Sequence, residues 1–147
     1  MLWEVDVHLR QNDTTAQDLV TAANELGFDI HAAHAATGWL IEGDMDLDEV
    51  RRIGKRLFTD PVTEVCRVAK VGEAELVSTP PGAQETDNLI FHVLPKPGVT
   101  DPAAESAKEA MALLGVNATA VRSLKKYWVP TECMTSEQIA ETVWKRL

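Results

Sequence analysis

Cysteine is scarce in this chain, basic residues are outnumbered, and no apolar run is long. The two cysteines, Cys66 and Cys133, stand in dissimilar surroundings without a CxxC spacing. Neither a disulfide framework nor a thiolate metal site is expected of them, and two free, partly buried thiols is the plain reading. Lysine and arginine number 14 against 23 aspartates and glutamates, a formal charge of -9. Such a surface repels a phosphate backbone, so nucleic acid is not an expected partner. No apolar stretch approaches the roughly 20 residues of a membrane-spanning helix. Residues 1 to 30 lack the basic start and apolar core of a signal peptide, which predicts a cytoplasmic protein without a membrane partner.

Chemical motifs are equally sparse. Neither cysteine sits in a nucleophile elbow, and Lys96-Pro97-Gly98 lacks the glycine pattern and lysine spacing of a phosphate-binding loop. His31 and His34 form an HxxH. On an extended strand, residues three apart point to opposite faces, so shared metal ligation is not expected. No catalytic, cofactor-binding or metal residue is assigned.

What the chain does have is a 45% apolar content over 147 residues, enough core for one domain or two half-size ones. Trp3, Val5, Val7 and Leu9 alternate with Glu4, Asp6, His8 and Arg10, which predicts a strand with one buried and one wet face. Thr14 and Gln17 have capping-box spacing, and an apolar stripe from Ala16 through Leu19, Val20 and Ala23 to Leu26 predicts a helix stopped by Gly27. The run from Asp29 to Ala36, a turn at Thr37-Gly38, and Trp39 to Glu42 read as two paired strands. Asp46 and Glu49 cap a second helix that should end at Asp60-Pro61, and valines from Val62 to Val71 make a closing strand. The expected unit over residues 1–71 is β-α-β-β-α-β, a two-layer α+β sandwich of the ferredoxin-like kind.

Residues 72–87 are polar, broken by Pro80-Pro81-Gly82, and read as a semi-rigid linker. A second copy of the unit then follows over residues 88–147. Leu89 to Leu94 forms a strand, Asp101 and Pro102 open a helix closed by Gly115, and Ala120–Leu124 with Tyr127–Val129 suggests a basic hairpin. A further helix starts at Thr135 and is still running at Leu147, where the last strand of the unit would be owed; the natural chain is expected to continue, or a partner to lend that strand. Leu26-Gly27-Phe28 matches Leu114-Gly115-Val116 at a shift of 88 residues, and Val7-His8-Leu9 matches Phe91-His92-Val93 at 84. The fold predicted is thus a pseudo-dimer of two ferredoxin-like repeats. Trp39, Tyr127 and Trp128 are read as core or seam packing. Arg122, Lys125 and Lys126 form a basic cluster at the predicted hairpin tip, solvated or facing a partner.

Three segments carry a family resemblance. Leu94-Pro95-Lys96-Pro97-Gly98-Val99-Thr100-Asp101-Pro102, Ala112-Leu113-Leu114-Gly115-Val116, and Val121-Arg122-Ser123-Leu124-Lys125-Lys126-Tyr127-Trp128-Val129 resemble the PurS family. Leu57-Phe58-Thr59-Asp60-Pro61-Val62 and the strand after it are similar to the closing segment of that family. PurS is the small subunit of phosphoribosylformylglycinamidine synthase, a ligase of purine biosynthesis that uses ATP and glutamine, and it works as a dimer. Two copies in one chain resemble that dimer fused head to tail, as at the start of some synthase large subunits. The resemblance implies a non-catalytic region that docks synthetase domains of the same chain, with their ATP and Mg, against a glutaminase subunit and helps ammonia pass between them. A homo-oligomer is also compatible with it. The synthetase's own Trp-Ser-Glu-His-Cys-like stretch is not in this sequence. A free-standing double PurS subunit and a tandem ACT-type module that binds an amino acid are the alternatives.

Overall fold

The computed structural model describes residues 1–10, 14–28, 30, 33–83, 87–131 and 135–146. His31 and Cys133 lie outside the described residues. The chain forms one antiparallel five-stranded sheet in the order β3-β1-β2-β5-β4, built from β1 (Leu2–Leu9), β2 (His34–Glu42), β3 (Glu64–Lys70), β4 (Asn88–Val93) and β5 (Ala120–Pro130). Helices α1 (Thr14–Glu25), α2 (Leu47–Ile53), α3 (Pro102–Leu113) and α4 (Ser136–Arg146) complete the α+β architecture.

Local chemistry explains the helix ends. Asp46 and Glu49 form the expected capping box, with Asp46 Oδ1 accepting from the Glu49 amide at 2.8 Å and Glu49 Oε2 from the Asp46 amide at 2.9 Å. Thr135 and Gln138 repeat it before α4. Asp101 caps α3 by accepting from the Ala104 amide, and also binds Ser123, tying the helix start to β5. Both α1 and α3 end in the same device. In α1, Gly27 takes a φ of 90°, its amide donates to Asn24, and the Phe28 amide donates back to Ala23. In α3, Gly115 takes a φ of 81°, with Gly115 bonded to Ala112 and Val116 to Met111. These are paired six-to-one and five-to-two bonds, and the left-handed residue between them is glycine because a Cβ is disfavoured there. α2 runs on as a wide turn, Gly54–Phe58, before Thr59 turns extended ahead of Asp60-Pro61.

The strand register sorts the side chains onto two faces. Val5 lies opposite Trp39 and Trp39 opposite Ser123, while Ala35 lies opposite Tyr127 and Tyr127 opposite Phe91. This face receives all four helices. Trp3, Val5, Ile41 and Val68 pack with Val50, Ile53 and Phe58 of the α2 region and with Ala107 and Met111 of α3. Ala35, Tyr127 and Val129 pack with Ala16, Leu19 and Ala23 of α1 and Ile139 of α4. Trp39 stacks on Phe58 with ring centroids 4.4 Å apart, and Tyr127 on Phe91 at 5.1 Å, so Tyr127 fills a core position and Trp39, partly buried, packs at the border of the core.

Three expectations are corrected. Thr37-Gly38 is not a turn: both residues pair with β1 on one side and β5 on the other, so one continuous strand, His34–Glu42, runs through it, while residues 29, 31 and 32 of the first expected strand lie outside the described residues. Nor do Ala120–Leu124 and Tyr127–Val129 form a hairpin, because β5 runs unbroken through Lys125 and Lys126, paired with β2 and β4. Ladder bonds on both sides outweigh the turn tendency of the charged or glycine-containing dipeptides. Finally, residues 72–83 of the expected linker do more than connect. Ala74–Val77 form a short 3-10 turn whose Leu76 is buried, as is Pro80.

Candidate binding site on the covered face of the sheet

The face away from the helices carries Glu4, Asp6 and His8 of β1, Arg67 of β3, His92 of β4, and Leu124, Lys126 and Trp128 of β5, by the same register. Alternation in β1 predicts that these polar side chains are wet. Instead Glu4, Asp6, His8 and Lys126 are all buried. The segment after β3 accounts for part of that burial. Arg67 donates to the Ser78 carbonyl at 3.2 Å, to Ser78 Oγ at 3.0 Å and to the Thr79 carbonyl, which straps the segment to the sheet.

Lys126 is the centre of this layer. Its ammonium, 0% exposed, donates to Asp6 Oδ2 at 2.8 Å, to Glu4 Oε1 at 3.3 Å and to the Leu76 carbonyl. All three of its hydrogens are thereby used. Lys126 belongs to β5 and the two carboxylates to β1, with β2 between them, so the side chain must cross over β2. β2 offers a low path there, because the residues it presents are Ala36 and Gly38. A Cβ on Gly38 would come within 2.8 Å of Leu124 Cδ1 and 3.1 Å of Asp6 Oδ1. The glycine gives clearance to these side chains and makes no turn.

One ammonium faces two carboxylates, and the carboxylates respond differently. Burial would raise Glu4, but the His92 hydrogen bond and the Lys126 charge outweigh it and hold the carboxyl down at about 2. For Asp6, burial and the adjacent Glu4 charge raise the carboxyl to about 7, and Lys126 offsets only part of this. His8 is depressed to about 3 by burial, with Arg67, Lys126 and His34 adding positive charge nearby. Its ring lies 5.2 Å from that of Trp128, and Lys126 Nζ lies 5.0 Å from the Trp128 ring.

These shifts set a pH dependence whose parts have opposite signs. The contribution of Glu4 is present above its ordinary value of 4.5 and is lost as pH falls toward about 2. That of His8 is lost as pH falls from 6.5 toward about 3, because the folded imidazole binds fewer protons than the unfolded one. Asp6 retains its proton in the folded state, so its contribution is lost as pH rises from 3.8 to about 7. Stability should therefore be nearly level between about pH 4.5 and pH 6.5 and fall at more acidic values. His8→Phe removes one of the two cancelling slopes, and its urea midpoint should decline as pH rises across that interval. A level profile in His8→Phe would contradict the opposed assignment.

A cavity of about 390 Å³ opens beside this layer, lined by Glu4, Leu40, Leu76, Leu124, Lys126 and His92, with Val71, Gly72, Glu73, Val77 and Leu94 at the same cavity. His92 Nε2 is 3.4 Å from Glu4 Oε1, and its side chain is 39% exposed. Of the predicted basic cluster, Arg122 and Lys125 are exposed, on opposite faces of β5, and Arg122 reaches the Pro95 carbonyl at 3.4 Å. Lys126 is fully buried. His34 opens β2, and Cys66 is a free, partly buried thiol. Among the described residues no group of three or more His, Cys, Asp or Glu is placed to hold a metal ion, and no helix is long and apolar enough to cross a membrane. Compared with known proteins, the chain matches no protein-family model and has no significant match among characterised sequences.

Proposed function

We propose that this chain is a non-catalytic assembly module of the PurS type, a fused pseudo-dimer that joins synthetase domains, with their ATP and Mg, to a glutaminase subunit in phosphoribosylformylglycinamidine synthase. The observation that carries the reading is the pairing of β2 with β5. A shift of 88 residues carries Ala36 onto Leu124 and Gly38 onto Lys126, and the observed partners are Ala36 with Lys126 and Gly38 with Leu124. Such exchange about the Thr37 and Lys125 pair is what a two-fold axis between equivalent strands produces. The neighbours follow the same relation: Asp6 lies opposite Gly38 and His92 opposite Lys126, so β1 and β4 match at 86 residues, not at the 84 suggested by their histidines. The shared closing device of α1 and α3 adds to this support.

In this reading the first repeat spans residues 1–71 and the second 88–147, and the sheet passes continuously from one to the other. Arg122 and Lys125 are the exposed cations left to face a partner. β4 forms one edge of the sheet, in the place where β1 of the first repeat carries β3. The decisive experiment mixes the chain with synthetase domains and glutaminase subunit. Sedimentation should show a ternary complex, and glutamine-dependent formation of formylglycinamidine ribonucleotide should require the chain, while the chain alone turns over nothing. Failure to join either component would overturn the proposal.

A further inference from the structure

The cavity beside Lys126 is large enough for a small molecule, and its polar groups restrict what could occupy it. A volume of about 390 Å³ falls within the range of small-molecule pockets. Leu40, Leu76, Leu94 and Leu124 supply apolar wall, which favours a compact hydrocarbon body. The polar side chains among the lining residues are Glu4, Glu73, His92 and Lys126. Lys126 has no hydrogen left to offer, since Glu4, Asp6 and the Leu76 carbonyl take all three. An anionic ligand therefore finds a saturated ammonium and two carboxylates. A cationic one finds Glu4, buried and already accepting from Lys126 at 3.3 Å, whose contact with His92 at 3.4 Å is the adjustable one because His92 is partly in solvent.

We propose that this cavity binds a small organic cation, a primary amine or guanidinium on a compact apolar body, with the charged end at Glu4 and the body against Leu76, Leu94 and Leu124. Glu73, at the turn after β3, adds a second negative charge to the lining. His92 competes with the ligand for Glu4, and Asp6 and Arg67, outside the lining, are already engaged with Lys126 and the strap. The turn that carries Leu76 forms one wall, so ligand binding also holds the strap in place.

The test uses isopentylammonium as the probe, with isopentanol and isopentanoate as neutral and anionic isosteres, followed by amide NMR shifts of the full chain. The amine should give saturable shifts around Leu76, Leu94 and Leu124, and the other two should not. Val77, 57% exposed at the cavity, can be changed without disturbing the core. Val77→Trp should weaken the amine by roughly tenfold or more through occlusion, with the urea midpoint unchanged. His92→Ala should strengthen it by freeing Glu4. Equal binding of amine and alcohol, indifference to Val77→Trp, or no saturable shift with the amine would each overturn the proposal.

Discussion

Lys126→Met is expected to cost about 3–5 kcal/mol of folding stability, the range for removing one partner of a buried ion pair. The reason lies in what the substitution leaves behind. Asp6 is 0% exposed and Glu4 4%, and both lose their ammonium while remaining under the strap. The Leu76 carbonyl loses its donor as well, and Trp128 loses the cation beside its ring. Methionine matches the length of the lysine stem, so packing is largely kept and the loss reports electrostatics and hydrogen bonding. Urea denaturation near neutral pH measures it. The companion variant Lys126→Met with Asp6→Leu and Glu4→Gln removes both stranded carboxyl groups and should recover much of the loss, since an apolar replacement of a buried charge cluster is commonly close to neutral. A single-variant loss below about 1 kcal/mol, the scale of an exposed pair, would mean that Lys126 does not neutralise Glu4.

Leu76→Ala should cost about 2–5 kcal/mol, as for other large-to-small changes at buried positions. Leu76 is 2% exposed although it belongs to a segment of polar composition. Its side chain covers the charged layer and its carbonyl completes the coordination of Lys126. Truncation opens the cavity wall and admits water to the carboxylates, so two costs add: lost apolar burial and a weakened strap. Limited proteolysis separates this from ordinary core damage. Residues 78–83 should become cleavable in Leu76→Ala at denaturant concentrations where the wild-type chain resists. If the segment were a passive tether, neither the midpoint nor the cleavage would change.

The helices, the starts of α2 and α3 and the ends of α1 and α3 were legible in the sequence because their signals are local, whereas α1 starts at Thr14 itself, the residue expected to cap it. Asp46 with Glu49, Asp101 with Pro102, and the Leu-Gly pairs at 26–27 and 114–115 each specify backbone hydrogen bonds within a few residues. The strands at 34–42 and 120–130 were misread where long-range pairing overrides local preference. Gly38 resembles a turn residue, but its function is clearance for side chains arriving from β1 and β5. The candidate site was the least legible part. Glu4 and Asp6 alternate with apolar residues as a wet face would, and nothing nearby in sequence announces the lysine 120 residues away from Asp6. A weak clue was present in the linker, whose Leu76-Val77 and Pro80 are apolar among acidic and small residues.

The reach of Lys126 from β5 to β1 also bears on how the protein is made. β1 leaves the ribosome with its two buried carboxylates long before their counterion exists. At about 5–20 residues per second, the intervening 120 residues take roughly 6–24 s to synthesise. During that interval the nascent first half carries two uncompensated carboxylates on a face that is later covered, and β2 exposes the edge that will accept β5. Closure of the sheet therefore waits on contacts distant in sequence, a topology that folds slowly.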